Sequence, residues 1–427
     1  MKLNDRKIEN IIEQNIKVNN ADLTDALSRD KLRIQDLYTL AMDHSEKIAV
    51  STEDIFQARE KTREAWGSIF PQLSFRANLN LPVTSSTGGI FNQGFRFYAR
   101  QNILTGWNEI SAIRAGTLLE DYSTYQLKSQ AANLYDQIAQ IFFEYLLLED
   151  SLNTQQILLE NSTNLKNELE KRFYLGKNRR SEILSVDVII SKTSAQIVHS
   201  GVLLSEAQKK IRSLTGLDRD FVPDKKEDEN KFNPDKYMDS YFDQPGNIDK
   251  RPDIMALKSE WELAKINSTN MLGNHLPTVY LEGQYRLPDA ASSLQSGVPD
   301  YYGGIVVQFP LFSGGTTHSR FLAAKSRERQ AELRYKELHR TAGDELNFYI
   351  HSWQAGEKQL EMLKQAKEKA EGAYIAMLQD YRVGQATNLE VLSALNNQVS
   401  ARDEFEKARL NQKLLVIHIK IITGELP

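Results

Sequence analysis

The chain has 427 residues, with 53 Lys plus Arg against 57 Asp plus Glu. Its formal charge of -4 supplies neither the basic field that recruits nucleic acid nor an acidic-tail signature. With no cysteine, disulfides, thiolate zinc sites, iron–sulfur clusters and a cysteine nucleophile are excluded. Hydrophobic residues make up 41% and mean hydropathy is -0.49, so large surfaces stay wet. No apolar run is long enough for a membrane-spanning helix, a limit that does not extend to a barrel of strands.

Residues 1–31 are rich in Asn, Lys and Glu and read as an amphipathic extension. They lack a basic segment followed by an apolar core, so an exported form is expected to be processed or truncated here. Leu32 to Ile69 favours helix, and Pro71 ends it. Phe75, Ala77 and Leu79 then alternate with Arg76, Asn78 and Asn80. After a Ser/Thr/Gly turn over Thr84 to Asn92, Phe95, Phe97 and Ala99 alternate with Arg96, Tyr98 and Arg100. Period two on both sides of a turn predicts a β-hairpin, placed at 71–104. Between Gly106 and Gly176 there is no proline, which as helix would extend ~105 Å. A shorter helix follows, to Gly216.

Residues 217–250 change character: Asp224 to Glu229 is a mixed-charge run, and Pro223, Pro234 and Pro245 break any helix, which predicts a solvated connector. From 251 the order returns. A helix from Ile254 to Leu276 is closed by Pro277, a hairpin is predicted at 277–312, a second proline-free stretch runs from Gly314 to Gly384, and a last helix reaches the C-terminus.

The return is a repeat. Leu104-Thr105-Gly106 matches Phe312-Ser313-Gly314, Gly176 matches Gly384, and Thr215-Gly216 matches Thr423-Gly424, all at a spacing of 208, while Phe70-Pro71-Gln72-Leu73 matches Leu276-Pro277-Thr278-Val279 at 206. Self-similarity at one spacing marks two copies of one structural unit, here 32–216 and 251–427 with turns near 176 and 384. Four strands cannot close a barrel alone, whereas three copies would supply twelve. Trp107, Tyr98, Tyr301 and Tyr302 are candidates for an interfacial aromatic girdle.

Catalytic chemistry has no sequence signal. Seven histidines show no HExxH pair, and GxGxxG after a strand, GxxxxGK[ST] and GxSxG are all missing. No enzyme activity and no cofactor or metal are expected.

Phe70-Pro71-Gln72-Leu73-Ser74, Arg251-Pro252-Asp253-Ile254, Phe309-Pro310-Leu311-Phe312-Ser313-Gly314-Gly315 and Tyr381-Arg382-Val383-Gly384, followed by Leu389-Glu390-Val391-Leu392-Ser393-Ala394, occur in an order that resembles the TolC-like outer-membrane factor family of Gram-negative bacteria. That resemblance covers about 32–427. It implies an α+β membrane protein in which each chain adds four β-strands to a 12-stranded barrel of a homotrimer in outer-membrane lipid. A long α-helical tunnel would continue into the periplasm. It further implies a passive exit duct for efflux or type I secretion, engaged by a periplasmic adaptor (membrane fusion) protein and an inner-membrane transporter.

The resemblance places the turns at the periplasmic tip. Adaptor docking is expected at Gly176, Leu184, Gly384 and Leu392, each leucine a small apolar knob. The gate is expected at Arg179, Arg180, Glu182, Tyr381, Glu390 and Ser393. Family members closest to TolC carry an Arg where this chain has Ala386 and a second acid where it has Ser393. Closure is therefore expected to rest on Arg179 or Arg180 meeting Glu390 or Tyr381. In the barrel, Phe75, Leu79, Phe95, Phe97, Val279, Leu281, Ile305 and Val307 are expected to face lipid, and Arg76, Asn78, Arg96, Arg100, Glu282 and Arg286 the lumen. The competing reading is a soluble helical scaffold or adaptor with a small sheet.

Overall fold

The computed structural model describes residues 20–79, 93–176, 179–224, 245–287 and 300–425. The Thr84–Asn92 turn, the loop beginning at Asp289 and most of the charged connector lie outside them. In chain order the elements are helices α1 (Asn20–Ser28), α2 (Ile34–His44) and α3 (Glu46–Gly67), strands β1 (Gln72–Leu79) and β2 (Gln93–Thr105), and helices α4 (Asn108–Tyr174) and α5 (Arg180–Thr215). A 3-10 turn (Pro245–Lys250) leads to α6 (Pro252–Gly273), β3 (Thr278–Arg286), β4 (Asp300–Gln308), α7 (Thr316–Val383) and α8 (Asn388–Ile422).

The two proline-free stretches are single helices of 67 and 68 residues. Each is bounded by the glycines that mark the repeat: Gly106, Gly176, Gly216, Gly314, Gly384 and Gly424 all have φ between 62 and 83°, a left-handed conformation that a side chain resists. The stretch read as one helix from Leu32 to Ile69 is instead two, broken at Ser45, whose extended backbone caps α2.

Two compact units divide the chain. One contains Val50–Leu127 and Pro252–Leu338, and holds an antiparallel sheet ordered β1-β2-β3-β4. Its hairpins share one register under the repeat. Gln72 pairs with Arg100 and Leu79 with Gln93, as Thr278 pairs with Gln308 and Tyr285 with Tyr301. The helices that feed β1 and β3 pack alike too: Arg59 of α3 donates to Glu120 of α4, and at the equivalent site Ser268 of α6 and Lys325 donate to Glu328 of α7. Trp261 of α6 stacks on Tyr335 of α7 at 5.7 Å between centroids.

The other unit contains Met1–Ala49, Lys128–Arg251 and His339–Pro427. Apolar residues at three-to-four spacing on α4, among them Leu134, Ile138 and Phe142, are buried. Tyr38 of α2 meets Tyr135 edge-on. Leu217, Phe221 and Pro223, at the start of the connector, are buried in this core, while Asp218, Arg219, Asp220 and Val222 between them are exposed: Phe221 lies against Phe142 and Tyr145 at 5.8 and 5.2 Å. Leu32 forms a parallel bridge with Pro223, fixed by Leu32 N–H donating to Val222 O and Asp224 N–H to Leu32 O.

Candidate functional site

Two places gather the residues singled out in the sequence. The first is the sheet. Its register puts positions 75, 79, 95, 97, 279, 281, 305 and 307 on one face and 76, 78, 96, 100, 282 and 286 on the other, because cross-strand partners share a face and neighbours along a strand alternate. On the apolar face Leu73, Phe75, Ile305 and Val307 are 74, 54, 66 and 65% exposed within the chain. Such an apolar surface calls for an apolar medium or a partner.

On the polar face the charges hold one another in place. The Arg76 guanidinium lies 5.1 Å from the Tyr98 ring centroid and that of Arg100 3.9 Å from Tyr280, and the Tyr98 hydroxyl donates to Glu282 at 3.0 Å. Asn78 holds its register position opposite Gly94, with its side chain outside the described ones. Arg96 and Arg286 stand directly opposite each other across β2 and β3.

The aromatic girdle differs from expectation. Tyr98 pairs with Gln284, which in turn pairs with Tyr302, so Tyr98 and Tyr302 lie on the polar face. The row on the apolar face is Phe75, Phe97, Tyr285 and Tyr301, aligned directly across all four strands, with Phe75 and Phe97 5.2 Å apart. Cross-strand register, which the sequence carries only through turn lengths, is what selects it.

The second place is formed by the two hairpin ends. Leu165 and Leu169 of α4, Val186 of α5, Tyr381 of α7, and Val391 and Leu392 of α8 make one buried cluster. Tyr381 is 4% exposed, its ring lies 4.5 Å from the Arg172 guanidinium, and Arg172 in turn donates to Glu168 at 2.9 Å. At the start of α8, Thr387 and Glu390 form a capping box. Glu390 N–H donates to Thr387 Oγ1, and Thr387 N–H donates to Glu390 Oε2 at 2.7 Å. The backbone N–H and the hydroxyl of Thr387 hold the Glu390 carboxyl below the usual carboxylate range. At the start of α5 the cap residue is Arg179, which makes no side-chain cap bond.

Two expectations are corrected here. Leu392 is 4% exposed inside the cluster, so it is a packing residue and no surface knob; Leu184 is 55% exposed. Closure through Arg179 or Arg180 is not built within the chain. Both are exposed, Arg172 takes the face of Tyr381, and the Glu390 carboxylate is occupied by Thr387. Glu182 is half-buried, Ser393 is exposed, and Gly176 and Gly384 have open space around them. Arg172 and Thr387 were not among the gate residues expected; the Thr-x-x-Glu pattern at 387–390 was the legible signal for the latter.

Among the described residues no helix is long and apolar enough to cross a membrane, and no cluster of His, Asp and Glu could hold a metal ion. Residues 248–425 match the family model described as outer membrane efflux protein. Outer membrane protein TolC of Escherichia coli (strain K12) is 24% identical over 92% of this chain and 82% of its own length. The chain is similar to the TolC-like outer membrane efflux proteins. Two solved structures share the fold of this TolC-like chain. CusC has a TM-score of 0.82 at 16% identity, covering 92% of each chain. VceC from Vibrio cholerae has 0.81 at 17% identity, covering 92% of this chain and 96% of that one. The α+β fold is that of these channels, and the TolC-like chain resides in the outer membrane.

Proposed function

We propose that the chain assembles as a homotrimer into the exit duct of a tripartite efflux or type I secretion system. Twelve strands from three copies form a barrel in outer-membrane lipid, with the Phe75, Ile305 and Val307 face toward lipid and the Arg76, Arg96, Arg100, Glu282 and Arg286 face toward the lumen. Transport through it is passive. An inner-membrane transporter drives the cargo, and a periplasmic adaptor engages the hairpin ends at Gly176, Leu184 and Gly384. No substrate bond is made or broken, so the residues contribute shape and charge.

One observation carries this reading: a four-stranded sheet with an exposed apolar face, a charged face opposite, and, among the described residues, an unpaired edge on β1 and on β4. A soluble scaffold would leave that apolar face without a medium. At the tip, three copies of Glu390 would ring a narrow aperture with negative charge. Arg179 and Arg180, unpaired within the chain among the described residues, would serve contacts between copies.

Planar-bilayer conductance of the purified chain tests the proposal. The expected result is discrete conducting steps, with cation preference reduced in Glu390→Gln and leak increased in the Arg179→Ala, Arg180→Ala double variant. A protein that stays monomeric without detergent and never conducts would refute it.

A further inference from the structure

Every charged residue of the described strands lies on one face of the sheet. That face carries Arg76, Arg96, Arg100 and Arg286 against Glu282 and Asp300, while the described strand positions on the other face hold no Asp, Glu, Lys or Arg. The excess is basic in a chain whose formal charge is -4, so composition does not account for it.

The register sorts these charges into two rows. In the row closer to the start of β1, Arg100 stands directly opposite Glu282, an opposite-charge pair of the kind that stabilises a sheet. The Arg100 guanidinium also faces the Tyr280 ring, and Glu282 accepts from Tyr98. That row is compensated.

The other row is not. Arg76, Arg96 and Arg286 stand side by side on β1, β2 and β3, and Asp300 holds the next position on β4. Like charges directly opposite one another destabilise a sheet, and Arg96 has one on each side. Its Nε is buried with no hydrogen-bond partner among the described residues, although a buried donor ordinarily has one.

We propose that this row binds oxyanions, and that it engages carboxylate or phosphate groups clustered on cargo as the cargo leaves through the barrel. Neighbouring strands stand about 4.8 Å apart, so adjacent arginines can reach one group together. Each guanidinium fork presents parallel N–H donors that match the edge of a carboxylate or phosphate. An anion seated beside Arg96 gives its orphan Nε an acceptor and relieves the repulsion along the row. Three copies around one lumen would repeat the row as a ring. The inference rests on the duct reading above and names a class of cargo for it.

Planar-bilayer recording with inorganic tripolyphosphate as the probe tests the ring. Added on the strand side of the conducting oligomer, tripolyphosphate should block the current, and the block should weaken as salt is raised. Arg96→Gln and Arg76→Gln should each weaken it about tenfold. Arg100→Gln removes the same charge from the compensated row and should weaken it clearly less. Equal sensitivity to Arg100→Gln, or no block in an oligomer that conducts, would overturn the ring and leave the duct standing. Orthophosphate blocking as strongly as tripolyphosphate would show that free phosphate fills the row, and would overturn its assignment to cargo. A chain that never conducts would overturn both readings.

Thermal unfolding of the purified oligomer supplies a readout that passes no current. Tripolyphosphate should raise the midpoint of the parent, since it binds the folded state, and should raise those of Arg96→Gln and Arg76→Gln much less. An equal rise in the parent and in both variants would overturn the assignment to this row.

Discussion

The hairpin ends at Gly176 and Gly384 start from the same parts and are built differently. Each has a left-handed glycine, a glutamate at the third position of the following helix (Glu182, Glu390) and a leucine two residues further on (Leu184, Leu392). At the second end, Thr387 closes a capping box with Glu390, and α8 sends Val391, Leu392 and Leu395 into the interior. At the first, Arg179 offers no acceptor to the free N–H groups of α5. There Val186 is buried while Leu184 remains in solvent. Duplicated sequence has thus divided its labour: both ends feed one core, but the second adds Leu392 to it while the first leaves the equivalent Leu184 in solvent.

The comparison is broken most severely at the leucines. Leu392→Ala removes a buried side chain and should cost about 2–5 kcal/mol, whereas Leu184→Ala should stay within about 0.5 kcal/mol in stability and reduce only adaptor binding. Urea unfolding of the two variants side by side checks this; equal costs would mean that the two ends are packed alike.

The caps give a smaller contrast. Thr387→Ala should destabilise the start of α8 by about 1 kcal/mol. Arg179→Thr, by creating Thr-x-x-Glu with Glu182, should gain up to about 1 kcal/mol at the start of α5. Hydrogen exchange of the first-turn amides of α5 and α8 reads both changes, and no gain in Arg179→Thr would show that the first end is held by something other than its cap.

The smallest effect is a pH dependence confined to the second end. Hydrogen bonds from Thr387 depress the folded Glu390 pKa, so the unfolded chain binds the proton more readily. The stabilisation is therefore complete above the ordinary carboxylate range and is lost as pH falls through the depressed value. Exchange protection at the start of α8, corrected for the intrinsic rate, should fall with acidification in the parent. In Glu390→Gln the Glu390-dependent part of that fall should disappear, and an unchanged profile in that variant would assign the dependence to another group.

Much of this was legible from spacing. Gly106, Gly176 and Gly216 recur at Gly314, Gly384 and Gly424, and their common offset carries both hairpins and both long helices with it, since a glycine that must adopt positive φ is a local requirement. Alternation likewise sorted Phe75 and Ile305 from Arg76 and Glu282. What spacing could not distinguish was Leu184 from Leu392, identical residues at equivalent positions, because burial is decided by which helices from distant parts of the chain flank them. Tyr98 was legible and passed over: alternation along β2 sets it with Arg96 and Arg100 on the polar face, and Tyr302 likewise alternates with Tyr301 and Ile305 along β4. Arg172 over Tyr381 joins two helices from different repeats, a pairing that no local pattern encodes.

Thiol accessibility in intact outer membranes shows whether this sheet is the wall of an outer-membrane channel with its apolar face in lipid. Arg100→Cys should react with a charged, membrane-impermeant maleimide, and Ile305→Cys only with a lipid-soluble one. Ile305→Cys reacting readily with the charged reagent while Arg100→Cys is protected from it would contradict the account.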